Sequence, residues 1–359
     1  MLTEKLYYKD SKIYEFDATV IAKGDGYVVL DRTAFFPEGG GQNSDTGFIG
    51  EAKVSDVQEI DGEIRHFVDK EVEGFNRCVL NKEERWRKMQ MHTGEHIICA
   101  VAHNLYGVDN VGFHLGDIVT MDLSGEVDVE RIEKLANEAV RDNLSIKTYF
   151  PDNLDFEYRS KLELTENVRI VEIEGLDKCA CCAPHVETTG EVGLIKVLSS
   201  MRHRGGTRIE LVCGMDAFEY VCRLQKQNDG ISRLLSVPRF ETLEAVEKLL
   251  SEKDNLAYRM NGMEMKIAQG ADLKDPIVCA DVGEDAQREL CNRLMEVHDI
   301  AAVLSRGKYV IGSKAIDLKK KIQEINASIC GRGGGKSGMV MGSFSISEDE
   351  AVKKLKDIL

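Results

Sequence analysis

A chain of 359 residues, 43% hydrophobic and 30% charged, reads as a globular protein of two or three domains, too long for one ordinary core. Its net charge of −15 opposes non-specific nucleic-acid binding, and no run of eighteen apolar residues is present to span a membrane. The opening Met1-Leu-Thr-Glu-Lys-Leu-Tyr-Tyr lacks the basic-then-apolar pattern of a secretion signal, so a cytoplasmic chain with its ten cysteines reduced is expected.

Residues 1–85 are strand-like. Ala18–Ala22, Tyr27–Asp31 and Ala52–Val57 carry apolar and β-branched residues, and turn signals at Lys23-Gly-Asp-Gly26 and Asp61-Gly62 separate them. This spacing predicts a small antiparallel β-barrel or curled sheet. Within it lies Thr33-Ala-Phe-Phe-Pro-Glu-Gly-Gly-Gly-Gln42, which lacks the Lys-Ser/Thr ending of a phosphate-binding P-loop. Gly40 and Gly41 suit either a tight turn or a backbone that a ligand approaches closely, and the Gln42 amide both donates and accepts.

A long helix is predicted from Asn81 to Tyr106, stopping at Gly107, and a second from Asp128 to Asn143 with Ile132, Leu135, Ala139 and Val140 on one face. Strands are expected at 118–123, 168–172, 193–197 and 207–212. Residues 86–215 thus read as an α+β domain. Two basic stretches, Arg85-Trp-Arg-Lys88 and Met201-Arg-His-Arg-Gly-Gly-Thr-Arg208, are either solvated surface or local RNA contacts.

Residues 216–269 read as a helical hairpin or short coiled-coil linker. Apolar residues at Val246, Leu249, Leu256, Met260, Met263 and Ile267 recur in steps of three and four, interrupted by Lys253, which is compatible with, without demanding, a homodimer through the helical or C-terminal region. Residues 270–359 read as a separate α/β unit with strands near 277–282 and 308–312. Its Gly331-Arg-Gly-Gly-Gly-Lys336 stretch is a flexible loop or a phosphate-backbone site using Arg332 and Lys336. The final helix opens at Ser347 with Glu350 in capping-box spacing.

The chemistry concentrates in two pairs. His92-Thr-Gly-Glu95-His96 places two imidazoles on one helix face, and Cys181-Cys-Ala-Pro-His185 offers a thiol and a third imidazole. Three imidazoles and a thiolate suit tetrahedral Zn²⁺. Spacing leaves Cys179, Cys181 and Cys182 all open as the sulfur ligand, with Pro184 stiffening the approach. The same five residues match the H-x-x-E-H pattern of a metalloprotease with Glu95 as base, although such an enzyme takes a downstream carboxylate as its third ligand. Glu95 is otherwise a neighbour that orients an imidazole.

Together Phe35–Gln42, Met89–His96, Val111-Gly-Phe-His-Leu-Gly116, Cys181–Gly193 and Arg204–Glu210 resemble the stand-alone alanyl-tRNA editing proteins, the AlaX group, and the editing region of alanyl-tRNA synthetase. The tail from about residue 270 is similar to the synthetase's C-terminal, DHH-associated-like domain, the layout of the long AlaX form. The resemblance implies Zn²⁺ held by His92, His96, Cys181 and His185. It also implies hydrolysis in trans of tRNA(Ala) mischarged with serine or glycine, no tRNA charging by this chain, and tRNA binding by the tail. Thr33 and Gln42 become candidates for reading the serine hydroxyl or ordering water, and Glu95 a candidate catalytic carboxylate. Two departures stand out: the family's Cys-Gly-Gly-Thr-His is Cys181-Cys-Ala-Pro-His185 here, and Lys336-Ser337 replaces an expected Arg-Pro.

The chemistry has a physical rationale. A synthetase pocket discriminates an added hydroxyl or a missing methyl by only about 1–3 kcal/mol, so a second hydrolytic site corrects its errors. Four protein ligands leave a metal no open position, so it either positions substrate or must loosen a ligand or expand its coordination to activate water. A tRNA-binding protein with a degenerate, non-catalytic site is the alternative to the hydrolase.

Overall fold

The computed structural model describes residues 3–160 and 167–359, which divide into two units, Met1–Gln227 and Asn228–Leu359. In the first unit a short parallel pair, β1 (Glu4–Lys5) and β4 (Arg32–Thr33), flanks a barrel. The barrel uses β2 (Glu15–Gly24), β3 (Tyr27–Leu30), β5 (Gly47–Ile49), β6 (Ala52–Ile60), β7 (Glu63–Val68) and β8 (Phe75–Leu80). They close in the order β2-β3-β7-β6-β5-β8, with β8 returning to β2. Alternation drives this: Phe16 and Ala18 point inward while Glu15 and Asp17 face solvent. Val28, Leu30, Ile49, Val54, Val57 and Ile64 join them in one core.

Helix α1 (Lys82–Tyr106) starts where the Asn81 side chain accepts from Glu84 N and ends at Gly107, in the left-handed conformation at φ 65°. Its stretch from Met91 to Ala102 is buried all round. Gly94 permits this, because a Cβ there would collide with Cys213 Sγ. The helix packs on the antiparallel sheet β14-β15-β10-β9, formed by β9 (Asn110–Leu115), β10 (Val119–Leu123), β14 (Ile195–His203) and β15 (Gly206–Cys213). Helix α2 (Val129–Asp142), capped by Asp128, lies beside α1. A second sheet joins β11 (Ile146–Tyr149), β12 (Ile170–Ile173) and β13 (Asp177–Ala180).

The basic run at the head of α1 is corrected by the structure. Arg85 is fully buried, paired with Asp45 and donating to Ala34 O and Ser11 O at 2.6 and 3.0 Å. Lys88 donates to Ser44 O at 2.5 Å and to Glu84, and Arg87 pairs with Asp216 at 2.5 Å. These cations therefore fasten α1 to its surroundings rather than offering a surface to RNA. Arg208 is likewise held by both oxygens of Asp122.

Helix α3 (Gly214–Leu235) runs across the division between the units. In the second unit its end turns into α4 (Thr242–Gly270), where Asn228 Nδ2 donates to Arg239 O and Thr242 donates to Asn228 Oδ1. The apolar row on α4 is solvent-facing: Leu249, Leu256, Met260, Met263 and Ile267 are all more than half exposed. A five-stranded sheet follows, ordered β16-β17-β18-β20-β19. Its strands are β16 (Ile277–Cys279), β17 (Ile300–Ser305), β18 (Lys308–Ser313), β19 (Arg332–Lys336) and β20 (Met339–Ser343). Its two faces carry separate cores. α5 (Glu284–Val297) covers Ala301 and Val303, while α6 (Leu318–Ser328) and α7 (Glu348–Ile358) cover Ala302 and Leu304. Ser347 caps α7 by accepting from Glu350 N. The glycine-rich stretch at 332–336 is an edge strand, not a loop: a Cβ on Gly333 or Gly335 would strike the backbone of β20. No helix among the described residues is long and apolar enough to cross a membrane.

Candidate metal centre

Two buried segments meet beside the barrel. His92 and His96 stand one turn apart on α1, and the chain after β13 delivers Cys181 and His185. The ligand atoms of these four residues lie within 4.8 Å of one another, a cluster able to hold a metal ion. Cys181 Sγ is 3.6 Å from His92 Nε2 and 3.4 Å from His185 Nε2. The His96 and His185 ring centroids are 4.6 Å apart. Cys179 and Cys182 are outside this group.

The far sides of two rings are fixed. His92 Nδ1 meets Gln42 Oε1 at 2.9 Å, and because that oxygen only accepts, Nδ1 carries the proton and Nε2 presents its lone pair to the cluster. Thr93 Oγ1 meets His185 Nδ1 at 2.9 Å and also accepts from Val186 N at 3.4 Å. Burial, reinforced by the neighbouring His96 and His92, holds His185 well below the usual imidazole range, so it is neutral and able to ligate. Burial, then the adjacent Cys182, pushes the Cys181 thiol up. A bound cation reverses that preference by stabilising the thiolate.

The glycine loop is a tight turn. Gly39 and Gln42 exchange backbone hydrogen bonds, with Gly40 and Gly41 between them at φ 61° and 83°, where glycine is favoured. Gly41 O accepts from Leu115 N, and a Cβ on Gly41 would press into the Phe113 ring, so this glycine serves packing rather than ligand approach. Gly40 does face the cavity beside the cluster. Gln42 is fully buried, and its Nε2 has no partner among the described residues.

Thr33 does not face that cavity. Its hydroxyl donates to His66 Nε2 at 2.8 Å, since His66 Nδ1 is directed at Val28 O, and its oxygen accepts from Phe35 N. The expectation that Thr33 reads a substrate hydroxyl is thus corrected: that hydroxyl is spent inside the barrel. Glu95 lines the cavity, and its Oε1 accepts from Asn110 Nδ2 and from the Cys99 thiol at 3.1 Å. Its Oε2 stands 3.9 Å from His96 Nε2. Arg332 and Lys336 belong to β19 of the second unit.

The cavity has a volume of about 1270 Å³. Beyond His92, Glu95, His96 and Cys181, its walls include Arg169, Tyr8, Phe113 and Phe150. A further trio, His96, Asp177 and Cys179, has ligand atoms close enough for an ion, but Arg159 grips both Asp177 oxygens at 2.9 and 2.6 Å. Asn110, Cys99 and Arg169 were missed in sequence. The one available signal was Arg169 itself, a charge inside the apolar run Val168-Arg-Ile-Val.

Residues 168–234 match the model of the threonyl and alanyl tRNA synthetase second additional domain, and residues 3–79 that of tRNA synthetases class II (A). The chain is 30% identical to the alanyl-tRNA editing protein AlaX-L of Pyrococcus horikoshii, covering 100% of both. It belongs to the AlaX-L family of alanyl-tRNA editing proteins. Alanine–tRNA ligases of Methanococcus maripaludis strain C6 and Methanopyrus kandleri are 28% and 30% identical over 99% of this chain, which spans 44% and 45% of their lengths. In this AlaX-L relative the second additional domain contains Arg169, Cys181 and His185, while His92 and His96 lie between the two matched stretches.

Proposed function

We propose that this chain is a trans-acting, zinc-dependent hydrolase that deacylates tRNA(Ala) mischarged with serine or glycine. The observation carrying this reading is the convergence of His92, His96, Cys181 and His185, the first three of them on the wall of a cavity far larger than an amino-acid side chain. Such a space suits an aminoacyl group together with the terminal adenosine that bears it. Zn²⁺ bound there would supply Lewis-acid polarisation of the ester or an anchor for the amino group.

The chain's own residues do the rest. Gln42 holds His92 in the ligating tautomer, Thr93 steadies the His185 ring, and Gly40 leaves the substrate room beside the cluster. Thr33 acts only through the loop it braces. Glu95, steadied by Asn110 and Cys99, is the carboxylate placed to orient His96 or to accept a proton. With Oε1 so engaged and four ligands already present, a protease assignment gains no support.

In this reading residues 1–85 and 86–215 build the editing site, 216–269 form the helical spacer and 270–359 bind tRNA. Arg332 and Lys336, flanking three bare glycines on an exposed edge strand, suit a sugar-phosphate backbone. The exposed apolar row on α4 supports pairing with a second copy, and a tRNA substrate suits a cytoplasmic protein.

The test incubates metal-loaded protein with Ser-, Gly- and Ala-tRNA(Ala), with and without His92→Ala. Release of serine or glycine with alanine spared, abolished by the substitution, is the expected result. No deacylation of any of the three would overturn the reading. Binding without turnover would point to a degenerate site, and peptide cleavage lost in Glu95→Gln to a protease.

A further inference from the structure

Among the described residues, the deeply buried cations have carboxylate partners, with one exception. Arg85 has Asp45 and Lys88 has Glu84, and even the less buried Arg159 has Asp177. Arg169 is equally deep, at 5% exposure, yet no Asp or Glu lies within ion-pair distance of it among the described residues. Its Nη1 donates to Cys181 O at 3.0 Å and Ala183 O at 2.8 Å, and its guanidinium lies over the Tyr8 ring at 5.1 Å. Nε and Nη2 make no hydrogen bond to a described residue, and the side chain lines the cavity.

A fixed charge taken out of water without a counter-charge is costly, and a neutral residue would pack there more cheaply. Two carbonyls and an aromatic face hold the group in place, but they do not neutralise it. Arg169 therefore presents a pre-positioned positive edge beside the backbone of Cys181. Within an aminoacyl-tRNA, the part that reaches this depth is the ester, because the nearest phosphate lies across the terminal ribose from the 3′ oxygen.

We propose that Arg169 is a catalytic residue that stabilises the negative charge developing on the ester carbonyl oxygen. This rests on the editing function proposed above. Water adds to the ester carbon and loses one proton to the surrounding water, while the carbonyl π electrons move onto oxygen. Collapse restores the C=O bond and breaks the bond to the ribose oxygen, which takes up a proton. The free amino acid and the tRNA hydroxyl leave. Donors aimed at that oxygen act mainly in the transition state, and losing one costs roughly 10²–10³ in rate.

The experiment compares wild type with Arg169→Gln and Arg169→Lys. The expected result is a fall in kcat on Ser-tRNA(Ala) of roughly 10²–10³ for Gln, with KM little changed, zinc content at the wild-type level and partial recovery with Lys. Because Arg169 also braces the Cys181 loop, binding is measured independently of turnover. Wild type should prefer an anionic phosphonate analogue of seryl-adenosine over the planar 3′-amide analogue, and Arg169→Gln should lose most of that preference. A rise in KM alone, a loss of zinc parallel to the loss of rate, or an unchanged phosphonate preference would each overturn the proposal. If wild type edits and Arg169→Gln edits equally well, this proposal alone fails. If wild type hydrolyses no aminoacyl-tRNA, the editing reading fails and takes this with it.

Discussion

Replacing Gln42 by Leu should separate metal affinity from fold stability. The amide is fully buried, with Oε1 accepting from His92 Nδ1 at 2.9 Å and Nε2 lacking a described partner. Its removal forfeits one hydrogen bond, about 0.5–1.5 kcal/mol net, and strands the imidazole N–H at about 1–3 kcal/mol. It also removes a buried amide nitrogen whose unsatisfied burial costs about the same 1–3 kcal/mol. These terms nearly cancel, so the melting temperature should move by only a few degrees. Metal binding has no such offset. Without the oxygen, His92 is free to adopt the tautomer that points a proton at the cluster, and loss of such a partner typically lowers affinity about 10–100-fold. Competition against a chromophoric chelator measures this, and Gln42→Glu, which keeps an acceptor, should retain most of the affinity. Equal zinc affinity in Gln42→Leu and wild type would refute the assignment of Gln42 as the group that sets His92.

Further outcomes follow from other parts of the molecule. Asp45→Asn leaves Arg85 charged and fully buried, which should destabilise the first unit by about 3–5 kcal/mol in urea unfolding followed by the single tryptophan, Trp86; a change below about 1 kcal/mol would contradict it. Burial lowers His66 from its ordinary 6.5 to about 4. The folded state then binds fewer protons than the unfolded one, so this contribution is intact above pH 6.5 and declines as pH falls towards 4, by about 3 kcal/mol. His66→Gln should remove that part of the acid sensitivity, and identical pH profiles for variant and wild type would rule it out. Arg332→Ala with Lys336→Ala should weaken tRNA binding and reduce the salt slope by about one for each phosphate no longer neutralised, while leaving zinc content unchanged; an unaltered slope would exclude them from the RNA interface.

Legibility in the sequence tracked the range of the forces involved. Local signals were readable: Asn81 and Gly107 bound α1, Asp128 caps α2, and Ser347 caps α7. The two chelating pairs were readable because each lies within one short segment, and their ligand atoms do come together. What depended on distant partners was not. Arg85 looks like surface charge until Asp45, forty residues earlier, closes on it. The 332–336 strand was hidden because glycine has low β propensity, and only the tight approach of β20 explains its presence. Thr33 appeared chemically apt, but its hydroxyl was already claimed by His66 from a neighbouring part of the barrel.

Cys181 packs against both the barrel core and the core around α1. His92 is reached from the barrel side by Gln42, and His185 from the helix side by Thr93. The centre is therefore a rivet through two cores of the first unit. A chelator's stripping rate would then report how firmly those two cores stay packed on each other. Tightening the barrel should slow ion exchange even when no ligand is touched.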